Sequence, residues 1–137
     1  NEEIGGAGAY AAAHTLQPDA AIVVDLSPAT DIPGGHPLHE LRQGRGPGLN
    51  RGSSNTESLV RELTDAAAQH DIPIQMRGLG INTSTDADRI VRVAGGIPCA
   101  YVSIPARYVH TPHEMVHRGD VQHVIELLGA WIADMQR

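Results

Sequence analysis

Two uninterrupted apolar runs limit what this chain can fold into more than any other feature. Ala20-Ala21-Ile22-Val23-Val24-Asp25-Leu26 and Cys99-Ala100-Tyr101-Val102-Ser103-Ile104 are each about one strand long. Neither alternates apolar with polar residues, so each reads as a strand covered on both faces. Residues 56–70 lie between them, with Leu59, Val60, Leu63, Ala66 and Ala67 at helical spacing. A Gly- and Ala-rich helix precedes the first run and is stopped by Pro18. Ile74 to Met76 reads as a short strand, 86–94 as a helix ended by Gly95-Gly96, and 115–117 as a brief edge strand. A terminal helix is expected over 120–136, with Val121, Val124, Ile125, Leu128, Trp131 and Ile132 on one face. Helix and strand thus alternate throughout. The expected class is α/β, a mostly parallel sheet with helices on both faces. Residues 27–55 break the pattern: Pro, Gly, His and Ser dominate, with room for one short strand near 47–50. A loop of that length in a compact domain is usually functional.

Composition narrows the function. The chain has 137 residues, enough for one domain with a real core. Phe is absent, so Ile, Val, Leu and Ala must build that core. Ten basic residues, all Arg, against sixteen acidic ones give a net charge of −6. That balance argues against a nucleic-acid or anionic-membrane partner. A lone cysteine, Cys99, excludes an internal disulfide framework and suits a reducing, cytoplasmic setting. No apolar run approaches the ~20 residues of a membrane span. The first residue is Asn, so the chain reads as cut from something longer.

Ligands of open α/β sheets bind beyond the carboxyl ends of the strands. Glu2, Glu3, Asp25 and His110 all fall at or just past predicted strand ends. At a strand end, neighbouring side chains point to opposite faces. Of the adjacent pair Glu2-Glu3, one carboxylate is then free to face a metal while the other deprotonates a water. Glu3, Asp25 and His110 make an O, O, N set for Zn or a similar divalent ion. Each has a plainer reading: solvated acids, a helix cap or arginine partner for Asp25, a backbone-bonded loop residue for His110. Spacing alone does not prefer His110 over His36, His39, His113 or His117.

Other stretches compete for a role. Gly6-Ala7-Gly8-Ala9-Tyr10-Ala11 matches a dinucleotide-binding turn, with Asp25 placed where a ribose-binding acid belongs. Against it, Asn1-Glu2-Glu3 is not an apolar strand, and two negative charges would repel a pyrophosphate. Asp31-Ile32-Pro33-Gly34 and Arg45-Gly46-Pro47-Gly48 read as turns. Asp86 reads as a helix-start residue. Arg107 and Tyr108 read as a corner or as a wall of a substrate site. Cys99, in an apolar run with no base nearby, reads as inert.

Together these stretches resemble the dinuclear metal aminopeptidases that form tetrahedral assemblies, a family whose members are called glutamyl or deblocking aminopeptidases, or endoglucanase (cellulase) M. Asn1-Glu2-Glu3-Ile4-Gly5 looks like the family's Glu-Glu-hydrophobic-Gly motif. Val24-Asp25 with Asp31-Ile32-Pro33-Gly34 resembles its Asp strand and following loop. Thr85-Asp86-Ala87 resembles its Gly-Gly-Thr-Asp-Ala segment, with Thr83 and Ser84 in place of the glycines. Pro105-Ala106-Arg107-Tyr108-Val109-His110, followed by Glu114, matches its Pro-x-Arg-Tyr-x-His signature.

The resemblance implies an aminopeptidase acting on peptide substrates, with two divalent ions (Zn or Co) in each active site. It implies Glu2 as general base, Glu3 and His110 as ligands of one ion, and Asp25 as a ligand of the other. It implies a homo-oligomer. Two further family ligands, a His and a bridging Asp, belong upstream of Asn1, as does the inserted oligomerisation domain. Residues 1–137 are therefore expected to be the carboxyl-terminal portion of a single catalytic domain, an inactive fragment if nothing precedes it. The cellulase name implies a different site, two carboxylates about 5–9.5 Å apart flanking a sugar. A His and an Asp beside the Glu pair favour metal.

Overall fold

The run that begins at Cys99 forms the central strand. In the computed structural model, which describes residues 1–34 and 40–135, five strands make one sheet: β1 (Ala21–Pro28), β2 (Gly48–Arg51), β3 (Gln75–Gly78), β4 (Cys99–Arg107) and β5 (Met115–Val116). The order is β1-β4-β2-β3, with β5 also on β4. β1 and β4 run parallel over eight residue pairs, from Ala21 opposite Cys99 to Pro28 opposite Ala106. β2 and β3 run parallel over four pairs. The seam between β2 and β4 is antiparallel over two pairs, and so is the β4–β5 pairing. The sheet is therefore mixed, with most of its ladder parallel.

Four helices cover it: α1 (Ala7–Leu16), α2 (Glu57–Gln69), α3 (Ala87–Ile90) and α4 (Arg118–Asp134). Side chains alternate along β4. Ala100 and Val102 face α2 and α4, in a core with Leu49, Leu63, Leu127 and Trp131. Cys99 and Tyr101 face the other way, against Val23 and Ala87. Helices on both faces explain the near-continuous apolar run of β4; β1, expected to be covered on both faces, is less so, being buried at Val23 and Ser27 with Val24 exposed. Leu63 and Leu127 are wholly buried, worth about 1.5–3 kcal/mol each. Trp131 Nε1 donates to Glu62 Oε2 at 3.0 Å and ties α4 to α2.

Several boundaries differ from the sequence reading. The first strand continues past Leu26 to Pro28 because Ser27 and Pro28 stay in register with Pro105 and Ala106. α3 has four residues, not nine: past Ile90 the Arg92 and Val93 N–H groups bond carbonyls three residues back, those of Arg89 and Ile90, and Ala94 then turns left-handed at φ 50°. α4 buries Val124, Leu127 and Trp131, while Ile125 and Ile132 are 60% and 51% exposed. Its expected end at Gln136 lies outside the described residues, as do His36 and His39.

One buried acid organises the long loop before β2. Asp120, in the first turn of α4 and fully buried, accepts hydrogen bonds from the backbone N–H groups of Gly44 and Gly46, both at 2.8 Å. Gly46 has φ 86°, and a Cβ there would lie 2.0 Å from the carbonyl oxygen of Pro73. Only glycine fits that crossing.

Candidate active site

Asn1-Glu2-Glu3-Ile4 does not present a strand end. Glu2–Ile4 is a single 3₁₀ turn closed by Gly5, φ 110°. With three residues per turn, Glu2 and Glu3 still diverge. Asp25 is also not at the end of its strand; it lies inside β1, opposite Ser103. Its Oδ1 accepts from the Leu26 N–H at 2.7 Å. His110 lies in the turn after β4, with φ 63°. These three segments meet at the carboxyl ends of β1 and β4. Glu2, Glu3, Asp25 and His110 line one cleft of about 570 Å³, together with Tyr108 and Glu114.

Within the cleft, Glu3 Oε1 and His110 Nδ1 are 3.6 Å apart. Burial raises the Glu2 carboxyl above its usual range, and the neighbouring Asp25, Glu3 and Asp86 carboxylates add to the rise. A carboxyl raised by neighbouring acids, as Glu2 is, sits in the electrostatic condition that a cation relieves. Carboxylate oxygens with an imidazole nitrogen are a donor set that suits Zn or Co. Among the described residues, no three His, Cys, Asp or Glu side chains stand close enough together to enclose one ion. Glu3 and His110 stand in contact, and Asp25 lines the same cleft.

Among the described residues, His14, His70, His113, His117 and His123 do not line this cleft. His117 is the N-cap of α4, where its Nδ1 accepts from the Gly119 N–H at 3.2 Å. Cys99 is buried and its thiol is pushed up to about 11, which fits the inert reading. The dinucleotide reading fails on two contacts. The Gly8 N–H that would face a pyrophosphate donates instead to Asn1 Oδ1 at 2.7 Å. The space over Gly6 is filled, since a Cβ there would lie 2.7 Å from Arg89 Cγ and 2.9 Å from Asp86 Oδ1.

Three supporting groups were not singled out from the sequence. Arg77 reaches from β3 across the glycine at 48 and donates to Ser27 Oγ at 2.8 Å, two residues beyond Asp25. Tyr101 lines the cleft floor and donates to the Leu26 carbonyl at 2.8 Å; burial pushes its phenol up to about 12, so it is a fixed donor. Asp88 accepts from Ser54 Oγ, Thr83 N, Thr83 Oγ1 and Ser84 N. It thereby pins the 83–85 stretch that lines the cleft. Burial pushes its carboxyl up, but these hydrogen bonds outweigh burial and leave it lowered. For Arg77 and Asp88 no local pattern gives the role away, because each partner is distant in sequence or in an irregular loop.

The fold is an α/β sheet with acids and an imidazole gathered in one cleft beside its parallel strands β1 and β4. The chain belongs to the M42 glutamyl aminopeptidase family, which matches residues 1–127. A protein of Acetivibrio thermocellus bearing an aminopeptidase name is 37% identical over 130 residues, 93% of this chain and 39% of that one. The TET aminopeptidase of a marine sediment archaeon of the Thaumarchaeota superposes with a TM-score of 0.86 at 31% identity, over 94% of this chain and 37% of that one. The TET1 peptidase of Pyrococcus horikoshii, which can assemble into a tetrahedron or a large octahedral shell, shares the fold at 24% identity. Its TM-score is 0.69, over 94% of this chain and 37% of that one. The chain thus spans under two fifths of the length of the proteins it matches. No described helix is long and apolar enough to cross a membrane.

Proposed function

We propose that this chain supplies one wall of the active site of a metal-dependent aminopeptidase that removes amino-terminal residues from peptides. The observation that carries the reading is the convergence of Glu2, Glu3, Asp25 and His110 on one cleft, with Glu3 and His110 in contact. Glu3 and His110 would hold one divalent ion, Zn or Co, and Asp25 would contribute to a second. The chemistry such ions supply when bound is Lewis acidity: a more acidic water and a polarised scissile carbonyl.

Glu2 is the general base. It sits beside the donor pair without sharing its contact, and burial with acidic neighbours makes its carboxylate a stronger proton acceptor than a solvated one. It takes the proton of the attacking water and returns it to the leaving amine. Asp25 is held by the Leu26 N–H, so it meets a ligand without first reorganising. Tyr101 and the 83–85 stretch form fixed walls that orient the peptide. Residues 1–137 act as the carboxyl-terminal portion of one catalytic domain, with the remaining ligands and an inserted oligomerisation domain coming from preceding sequence in a cytoplasmic homo-oligomer.

The test is hydrolysis of an aminoacyl anilide by the natural protein that carries this chain, with and without EDTA. Activity lost to the chelator and restored by Zn or Co is the expected result. Activity indifferent to EDTA would overturn the reading.

A further inference from the structure

Two lips face each other across the cleft. One is the loop after β1, where Ala29 and Ile32 line the cavity; the other is the turn after β4, with Tyr108, Val109 and His110. A two-point ion pair joins them. Arg107, the last residue of β4, donates through Nη2 to Asp31 Oδ2 at 2.5 Å and through Nε to Asp31 Oδ1 at 3.3 Å. The paired Asp31 side chain is 17% exposed, against 65% for Glu40 in its surface pair with Arg42. A forked, partly shielded pair fixes direction as well as distance.

The turn that follows needs such an anchor. Tyr108 and His110 take φ of 58° and 63°, the left-handed region for two side-chain-bearing residues. Each costs on the order of 1 kcal/mol or more and persists only where the surroundings over-determine it. The far foot of the turn is held by β5, where Met115 pairs with Arg107. Gln43 Nε2 bridges the Pro105 and Met115 carbonyls. Inside it, Thr111 closes on the Tyr108 carbonyl through both its N–H and its hydroxyl. The His110 side chain is 71% exposed, so packing does not aim it. Its direction comes from the backbone, and that backbone starts at Arg107.

We propose that Asp31 and Arg107 are positioning residues for His110: their ion pair sets the strained turn from which His110 meets Glu3. Neither is a ligand. The inference rests on the metallopeptidase reading and extends it to Asp31 in the loop after β1.

The test is zinc affinity of the full natural protein, measured by competition with a chromophoric chelator, with the unfolding midpoint recorded alongside. D31N weakens zinc binding about tenfold, the scale seen when support behind a metal ligand is lost, with little change in midpoint. R107K, which keeps the charge but not the fork, also weakens it, and carries the same test if D31N does not fold. In a double-mutant cycle the loss from D31N disappears once His110 is replaced by Ala. Wild-type zinc binding with unchanged affinity in both D31N and R107K, or losses fully additive with H110A, overturns this inference alone. A wild-type protein that binds no zinc overturns the metallopeptidase reading and this inference with it.

Discussion

Glu3 and His110 come from opposite ends of the chain and bring a carboxylate oxygen and an imidazole nitrogen to 3.6 Å. Their side chains are 74% and 71% exposed, so as an ion pair the contact adds little to stability. Its interest is as a pair of donors to a third body. H110A and E3Q are each expected to weaken zinc binding by at least the ten- to hundredfold that loss of merely supporting groups costs, and so to lower zinc occupancy after dialysis. Elemental analysis of the dialysed proteins checks this. Occupancy unchanged in H110A would remove His110 from the site.

Glu2 stands next to that pair with a different task, and its variants separate the two roles. In the natural protein, E2Q keeps the size of the side chain but not its basicity. Turnover is expected to fall by roughly 10²–10⁴, the usual share of a general base, while bound metal stays at the wild-type level. Steady-state kinetics paired with metal analysis decides it. Full activity in E2Q would assign the base elsewhere.

Asp88 gives the structure an acid-sensitive point. Four donors lower its folded pKa below the unfolded value of about 3.9. A depressed carboxyl contributes stability that is full above the unfolded pKa and is lost as pH falls through the folded one. Urea unfolding should therefore show stability falling below about pH 4, with a shallower fall in D88N. Identical acid slopes would mean that Asp88 contributes nothing to the linkage.

Asp120 makes a stability prediction independent of any function. D120A leaves the Gly44 and Gly46 N–H groups without their buried acceptor. A loss of about 3 kcal/mol is expected, since hydrogen bonds to a buried charge are worth roughly 1.5–3 kcal/mol each. D120N, which keeps one acceptor, should lose less. Denaturant midpoints measure both, and a D120A midpoint equal to wild type would contradict the role.

The parts legible in the sequence were those with local causes. The apolar runs at 20–26 and 99–104 became β1 and β4, and Leu59, Val60 and Leu63 marked the buried face of α2. Glu2, Glu3 and Asp25 are expected at strand ends; the Glu pair lies instead on a 3₁₀ turn and Asp25 inside β1, yet they line one cleft with His110. What stayed hidden depends on partners far along the chain. The antiparallel seam of β2 on β4 follows from tertiary pairing that no local pattern encodes. The early end of α3, where the Arg92 and Val93 N–H groups bond three residues back, falls among ordinary helix formers such as Arg92 and Ala94. The acceptors of Asp88 and Asp120 lie in irregular loops, and nothing near Ser27 announces Arg77.

The order β1-β4-β2-β3 leaves β1 paired along only one side among the described residues. Its outer N–H and C=O groups run along an eight-residue strand that is apolar from Ala21 to Val24, and Val24 itself is 42% exposed. Such an edge is a template for any extended chain that meets it, including β1 of another molecule. Residues 1–137 produced alone would thus carry an aggregation hazard beside the very cleft that holds Asp25. Covering that open row of backbone groups, as it stands among the described residues, would shield the piece from such pairing and guard the cleft beside it.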